Sequence, residues 1–392
     1  MEHEQAAQYM LSLVRLLLQK GGSDLFITAG SPPAMSLNGN LVRIGEQRLS
    51  RLQSERLAQT VMNDRQWVEF EHRQELNFAL HYPDMARFRV NVFRQRGSVG
   101  MVMRLIPSTI PSFEELNLPP VLAELAMSKR GLVIFLGGTG CGKSTSLAAM
   151  VDYRNRNSAE HIVTIEDPIE YFHAHKRCLV TQREIGADTE SYAVALKNAL
   201  RQRPNVILIG EIRDRETMEH AINFAETGHL CLTTLHANSA DQAFDRIINF
   251  FPPEKRAQVL MDLSFNVRAF LCQRLLPRAD RPGQIPAVEV LLNTPFMAKL
   301  IFQGRMNEIK AYMAKESEPG MKTFDQALFE LYEAGYIDFP TALRHADSQN
   351  DIRIRVKLQS KRPLPEELLT DLSGARVESP EHGGIDLTIS NR

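Results

Sequence analysis

Apolar positions along residues 5–20 recur at helical spacing. Ala6, Tyr9, Met10, Leu13, Leu16 and Leu17 fall near one face, and Gly21-Gly22 follows as a stop signal. Beyond it the period shortens to that of strands. Strand-like pieces at 24–28 and 34–37 flank Gly30-Ser31-Pro32-Pro33, and Asn38-Gly39 marks a hairpin turn before a third piece at 40–44. A helix is expected over 54–70, then strands over 75–80, 86–93 and 100–106. In the middle strand, alternation sets Phe88, Val90 and Val92 on one face and Arg87, Arg89 and Asn91 on the other. A solvated strand face is the plain alternative to any functional reading of those arginines. The pattern predicts a small α+β domain over residues 1–106.

Pro107, Pro111 and the small polar residues between them predict a linker over 107–118. From there on strands and helices alternate, which predicts an α/β domain with a parallel sheet over 119–347. Strands are expected at 132–136, 161–165, 206–209 and 230–235, with helices at 144–155, 191–200, 215–226 and 240–249. After Pro252-Pro253 a helical stretch is expected over 254–275, then a strand or buried hairpin at 286–292 and helices at 295–303 and 324–334. The chain becomes polar and proline-punctuated over 348–392. A poorly ordered tail is expected there, because little apolar surface offsets the ordering entropy.

Composition narrows the class only slightly. With 392 residues, 43% apolar and 24% charged, the chain is long enough for two or three globular domains. A net charge of −1 gives no global reason to expect nucleic acid or an anionic membrane as partner. Cys141, Cys178, Cys231 and Cys272 are widely spaced without a C-x-x-C pair, which argues against a zinc ribbon or disulfide framework and fits a reducing compartment. The apolar run near Leu16 is interrupted by Ser12 and Arg15 and is too short for a membrane span, so a cytoplasmic location without membrane insertion is expected.

The candidate chemistry centres on Gly137-Gly138-Thr139-Gly140-Cys141-Gly142-Lys143-Ser144, which satisfies G-x-x-x-x-G-K-[ST] and is followed by Thr145. It lies between a predicted buried strand and a predicted helix, the context that a phosphate-binding loop requires. Gly137, Gly140 and Gly142 allow the backbone to fold so that N–H groups converge on phosphate oxygens, and the helix start adds partial positive charge. Lys143 can reach the β- and γ-phosphates, and the Ser144 hydroxyl can ligate Mg²⁺. ATP and Mg²⁺ are the expected ligands.

Three segments carry further candidates. Val206-Ile207-Leu208-Ile209-Gly210-Glu211 resembles a Walker B strand with Gly where a generic version has Asp, leaving Glu211 to act on Mg²⁺ through its water shell or on the attacking water. Glu166, Asp167 and Glu170 follow a predicted strand end, where carboxylates can order water and metal, although Asp-Pro is itself a turn signal. His229 and His236 bracket the strand at 230–235, and an isolated histidine is more often structural.

Together these segments resemble the secretion ATPase superfamily of type II secretion and type IV pili. The resemblance is carried by the P-loop, Thr164 to Tyr171 (its Asp box), Val206 to Asp214 (its atypical Walker B) and Thr227 to Ala240 (its His box). The N-terminal part fits through Gly22-Ser23-Asp24-Leu25, Pro32-Pro33, Asn38-Gly39 and Arg87-Phe88-Arg89-Val90-Asn91. It covers residues 5–345 and is nearest to the PilT/PilU retraction branch, since the chain starts almost directly at the N-terminal PAS-like part and the four-cysteine zinc module of the extension and secretion ATPases is lacking. After Asn293-Thr294-Pro295, PilT-type motors carry AIRNLIRE, whereas this chain reads Phe296-Met297-Ala298-Lys299-Leu300-Ile301-Phe302-Gln303. That departure and the extended tail favour the accessory PilU type.

The resemblance implies an N-terminal PAS-like α+β domain followed by a RecA-like P-loop ATPase domain, assembled as a homo-hexamer. It implies Glu170 as the water-activating base, Glu211 supporting Mg²⁺ and water, and His229 and His236 sensing the γ-phosphate. Arg104, Arg89 and Arg87 would approach nucleotide from a neighbouring domain or subunit, where cations stabilise charge in phosphoryl transfer. The implied partners are a PilT-type retraction ATPase and an inner-membrane platform protein, at the pilus base. The competing readings are the principal retraction motor, a nucleic-acid motor and a non-catalytic ATP-binding subunit. Lack of a basic-aromatic stripe disfavours the second, and the presence of Glu170, Glu211 and both histidines disfavours the third.

Overall fold

Phe88, Val90 and Val92 are fully buried, as the alternation of their strand requires, and they form part of an N-terminal core closed by the helix His3–Lys20. The computed structural model describes residues 2–368 apart from 38, 84, 108, 316, 317 and 366. Six strands build the first sheet: β1 (Asp24–Thr28), β2 (Ala34–Leu37), β3 (Asn40–Arg43), β4 (Glu75–Tyr82), β5 (Ala86–Gln95) and β6 (Ser98–Ile106). Their order is β3-β2-β1-β6-β5-β4, and every pairing is antiparallel. The single helix expected over 54–70 is two, Arg51–Gln59 and Asp64–Arg73. Asn63 divides them. Its side chain accepts from the Gln66 N–H while Gln66 accepts from the Asn63 N–H, a reciprocal cap that starts a new helix.

The second sheet runs β13-β12-β7-β11-β10-β8-β9. It comprises β7 (Gly131–Leu136), β8 (His161–Glu166), β9 (Leu179–Glu184), β10 (Val206–Ile209), β11 (Leu230–Leu235), β12 (Val267–Pro277) and β13 (Gln284–Leu292). All pairings are parallel except the β12–β13 hairpin at one edge. Both faces are covered, which is why these strands read as continuous apolar runs. Leu132, Ile134, Ile207 and Ile209 face one core, and Val133, Phe135, Val206 and Leu208 face the other. Full burial of each such side chain stabilises the fold by about 1.5–3 kcal/mol.

Two expectations fail in this part of the chain. The helix expected over 254–275 ends at Asn266, and Val267 onward is β12, wedged between β7 and β13. Val267, Phe270, Leu271 and Cys272 suit a buried central strand, and two flanking ladders outweigh the helical spacing. The tail expected from 348 instead begins with the helix Gln349–Gln359, whose Ile352 and Val356 are buried with Leu368 against Phe324, Leu328 and Phe339. A few well-placed apolar residues suffice once another surface is there to receive them. Residues 369–392 lie outside the described residues. Residues 109–120 form no helix or strand, and Phe113 and Leu118 are buried in the core of the second sheet.

Candidate active site

Parallel strands bring their carboxyl ends to one side of the sheet, and the site grows from that fact. The P-loop leaves β7, Glu166 to Glu170 leave β8, Gly210-Glu211 leave β10 and His236 leaves β11. They line one cavity of about 580 Å³ with Thr139 to Thr145, Tyr171, Tyr192, Leu275 and, from the first sheet, Arg104 and Leu105.

The loop is shaped for an anion. Gly137, Gly140 and Gly142 have φ of 143°, 77° and 87°, and Gly142 caps the helix Lys143–Asn157 in a left-handed conformation. A β-carbon at Gly137 would lie 2.4 Å from the Cys141 sulfur, and one at Gly142 would lie 2.7 Å from Gln273 Nε2. Only glycine fits at either place. Lys143 is 8% exposed, and its Nζ donates to the carbonyls of Gly137 at 2.9 Å and Gly138 at 2.8 Å. The Thr145 hydroxyl and the Tyr171 hydroxyl share a hydrogen bond of 2.9 Å. Helix start, glycine cradle and buried lysine together fit a nucleotide polyphosphate.

Glu211 is held from two sides. His236 Nε2 stands 3.3 Å from its Oε2, and Arg213 pairs with its Oε1 while also reaching Asp167 Oδ2 at 3.3 Å. The Thr234 hydroxyl donates to the Gly210 carbonyl at 2.8 Å and locks the turn that presents Glu211. The glycine that replaces the generic Asp has a steric reason. A β-carbon at Gly210 would lie 2.9 Å from the Tyr192 hydroxyl and 3.3 Å from the Glu166 backbone. That hydroxyl is buried without a hydrogen-bond partner among the described residues, and burial first, then Asp167 and Glu211, push the phenol's pKa upward.

The carboxylates after β8 divide by environment. Glu166 is pushed up to about 7, chiefly by burial, against the hydrogen bonds donated by Thr164 at 2.6 Å and Gln182 at 3.3 Å. Glu170 is exposed on the cavity wall, close enough to Arg104 to favour the guanidinium charge. Arg104 is itself anchored by Asp24, with Nε 2.7 Å from Oδ1. Arg87 and Arg89 do not line the cavity; their charge instead partly offsets the upward push that burial gives the Glu184 carboxyl on β9. His229 is also elsewhere. It precedes β11 and bonds Thr227 Oγ1 at 3.0 Å, so six strand residues, roughly 20 Å, separate it from His236. Within one chain, therefore, Glu170, Glu211, His236 and Arg104 meet the P-loop, whereas His229, Arg87 and Arg89 do not.

For Mg²⁺ the residues are suitable. The cation needs one or two protein oxygens besides phosphates and water, and Ser144 and Glu211 line the cavity beside the loop. Among the described residues no group of three or more His, Cys, Asp or Glu side chains is placed to hold a metal without such help. The sequence reading missed Tyr192, whose position opposite Gly210 is a tertiary contact. It also missed Gln273, which it placed inside a helix, since residues 267–277 hold a single β-branched residue, Val267, and a single aromatic, Phe270.

A glycine cradle at a helix start, a carboxylate on the neighbouring strand end and a histidine beside it, on a mostly parallel α/β sheet, define a P-loop ATPase. The chain belongs to the family described as type II/IV secretion system protein, whose model matches residues 4–315. It is 56% identical over 349 residues to the type IV pilus ATPase PilU of Pseudomonas aeruginosa, covering 89% of this chain and 91% of that protein. Identity to the type IV pilus retraction ATPase PilT of the same organism is 40% over 334 residues, 85% of this chain and 97% of the relative. The crystal structure of the pilus retraction motor PilT with bound ADP superposes with a TM-score of 0.82 at 38% identity, covering 87% of this chain and 98% of that one.

Proposed function

We propose that this protein is a Mg²⁺-dependent ATPase that powers or assists the retraction of type IV pili, and hence twitching motility, as the accessory PilU type. One observation carries the reading. The P-loop, Glu170, Glu211 and His236 converge on a single cavity, in a chain 56% identical to a pilus ATPase.

In this reading ATP sits on the P-loop, and Lys143 leaves the Gly137 and Gly138 carbonyls for the phosphates. Ser144 and Glu211 would hold Mg²⁺, directly and through water, and the ion would neutralise charge on the β- and γ-phosphates. Glu170 orients and deprotonates the attacking water, Glu211 helps to place it, and His236, beside Glu211, reads the γ-phosphate. Arg104 contributes positive charge from the first sheet, within the subunit or to a neighbour. Residues 1–106 act as the PAS-like domain and 119–347 as the RecA-like domain, in a hexamer where turnover moves one against the other. His229, Arg87 and Arg89 would serve such a ring at subunit contacts.

The accessory role rests on the helix Pro295–Phe302. Where PilT-type motors carry basic and acidic residues, it presents Phe296 and Phe302 to the exterior and buries Met297, Leu300 and Ile301. Its partners are then a PilT-type ATPase and the inner-membrane platform protein, with the protein peripheral at the pilus base. Among the described residues no helix is long and apolar enough to cross a membrane. The test is complementation of a deletion strain. Repair of twitching only when the PilT-type partner is present supports the accessory role, and full repair without it makes the protein a principal motor.

A further inference from the structure

The P-loop is braced from behind by one side chain that the catalytic reading does not use. Gln273 on β12 is 2% exposed. Its Nε2 donates to the Cys141 carbonyl at 2.8 Å, and its Oε1 accepts from the Ser146 hydroxyl at 2.8 Å. Its backbone carbonyl lies 2.6 Å from where a β-carbon at Gly137 would sit, and its amide nitrogen 2.7 Å from one at Gly142. A single residue thus abuts both ends of the loop and the first turn of the helix behind it.

The chemistry of an anion cradle explains why such a brace is needed. For N–H groups to point at phosphate, intervening carbonyls must point away, as the Cys141 carbonyl does here toward the buried Gln273 side chain. A buried carbonyl left without a donor costs free energy, and its peptide can flip to find one. Gln273 supplies that donor to Cys141, and Ser146 fixes the amide so that nitrogen, not oxygen, faces the loop. The strand is held independently on its other side. Arg274 stacks on Phe324 at 3.9 Å and donates to the carbonyls of Asn238 and His345. The brace is therefore rigid.

We propose that Gln273 is a positioning residue for ATP hydrolysis, acting through the Cys141 carbonyl to hold the P-loop in its phosphate-accepting shape. This rests on the assignment of ATP to that loop. Gln273→Met keeps the bulk but neither hydrogen bond. Gln273→Glu sets an acceptor against the Cys141 carbonyl while still reaching Ser146. Ser146→Ala releases the amide without touching the loop.

The experiment compares these variants with wild type in the full chain, by steady-state ATP hydrolysis, affinity for a fluorescent ADP analogue, and melting temperature with and without ADP. Both position-273 variants should raise KM for ATP and Kd for the analogue by about 10-fold or more, and Ser146→Ala by a smaller factor. Melting without nucleotide should fall somewhat, because the Cys141 carbonyl and the buried Ser146 hydroxyl lose their partner, and the ADP-induced rise should shrink as well, a change that a purely structural role would not produce. Wild-type KM and Kd in Gln273→Met overturn the proposal. If the position-273 variants do not fold, Ser146→Ala decides, and unchanged nucleotide affinity there overturns it. Wild-type protein that binds nucleotide but does not hydrolyse it would sink the ATPase reading instead, and the affinity comparison would still judge Gln273.

Discussion

His236 Nε2 lies 3.3 Å from Glu211 Oε2, so the end of β11 and the end of β10 meet at a single carboxylate. Arg213 completes the grip from the opposite side. This places the histidine proposed to sense the γ-phosphate and the glutamate proposed to support Mg²⁺ in one unit, and their losses should not add. Glu211→Gln should lower kcat by about 10²-fold or more, with little change in ADP affinity, and His236→Ala by about 10-fold. The double variant should resemble Glu211→Gln alone, as a double-mutant cycle of ATPase rates would show.

Lys143 is nearly buried and satisfied by two carbonyls of its own loop. Lys143→Ala should therefore leave folding intact, because no charge is stranded, yet reduce hydrolysis below detection. Circular dichroism together with a phosphate-release assay checks both halves. Retained turnover would remove the loop from the mechanism.

Gly210 faces the Tyr192 hydroxyl across a gap too small for a β-carbon. Gly210→Ala should cost about 1–3 kcal/mol, the usual penalty for overpacking, and should lower ATPase activity by displacing Glu211. Gly210→Asp, which restores the generic Walker B residue, should be worse rather than better. Denaturant unfolding of both variants, with and without Tyr192→Ala to open the space, tests the steric cause.

Of the three candidate arginines only Arg104 reaches the cavity. Arg104→Ala should reduce kcat by about 10-fold in the assembled protein. Asp24→Ala should give a smaller loss, because it frees the guanidinium without removing it. Arg89→Ala should leave subunit-level nucleotide affinity unchanged. Rates measured at fixed protein concentration, with affinities from the ADP analogue, separate these outcomes.

Glu289 on β13 is 4% exposed, and its carboxyl is raised to about 7, first by burial and then by Asp347, against N–H bonds from Ala240 and Phe324 and the charge of Lys310. The sign follows from linkage. A folded pKa above the unfolded value contributes stability that is fully present below the ordinary carboxyl range and is lost as pH rises through about 7. Wild type should therefore melt at progressively lower temperature from about pH 5 to 7, relative to Glu289→Gln, and hold nearly level above that. At about 1.36 kcal/mol for each pKa unit, the gap should approach roughly 2–3 kcal/mol at the alkaline end. Parallel melting curves for the two proteins across that range would contradict it.

Much of the nucleotide end of this protein was legible before any fold was known. Gly137, Gly140, Gly142 and Lys143 form a contiguous motif, because converging backbone N–H groups come from consecutive residues. Glu211 was readable because it closes an apolar strand, and His236 through the resemblance of residues 227–240 to the family's His box. Arg87, Arg89 and Arg104 stood together in what the resemblance implies, yet only Arg104, on β6, lines the cavity near Glu170, and Arg87 and Arg89, on β5, do not.

The sequence by itself determined the local order: the helix of residues 3–20, the strands β7, β8, β10 and β11 of the parallel sheet, the phosphate loop and the carboxylates at the strand ends. These follow from periodicity and from residues acting on near neighbours in the chain. Only the tertiary structure decided that residues 267–277 are a strand, that the polar C-terminal segment packs a helix, and that His229 stands at the wrong end of β11 for its own P-loop. It alone brought Tyr192 to Gly210 and Gln273 to Cys141. Such contacts depend on which surfaces meet across a stretch of chain, 18 residues from Tyr192 to Gly210 and 132 from Cys141 to Gln273, and no local pattern encodes that meeting.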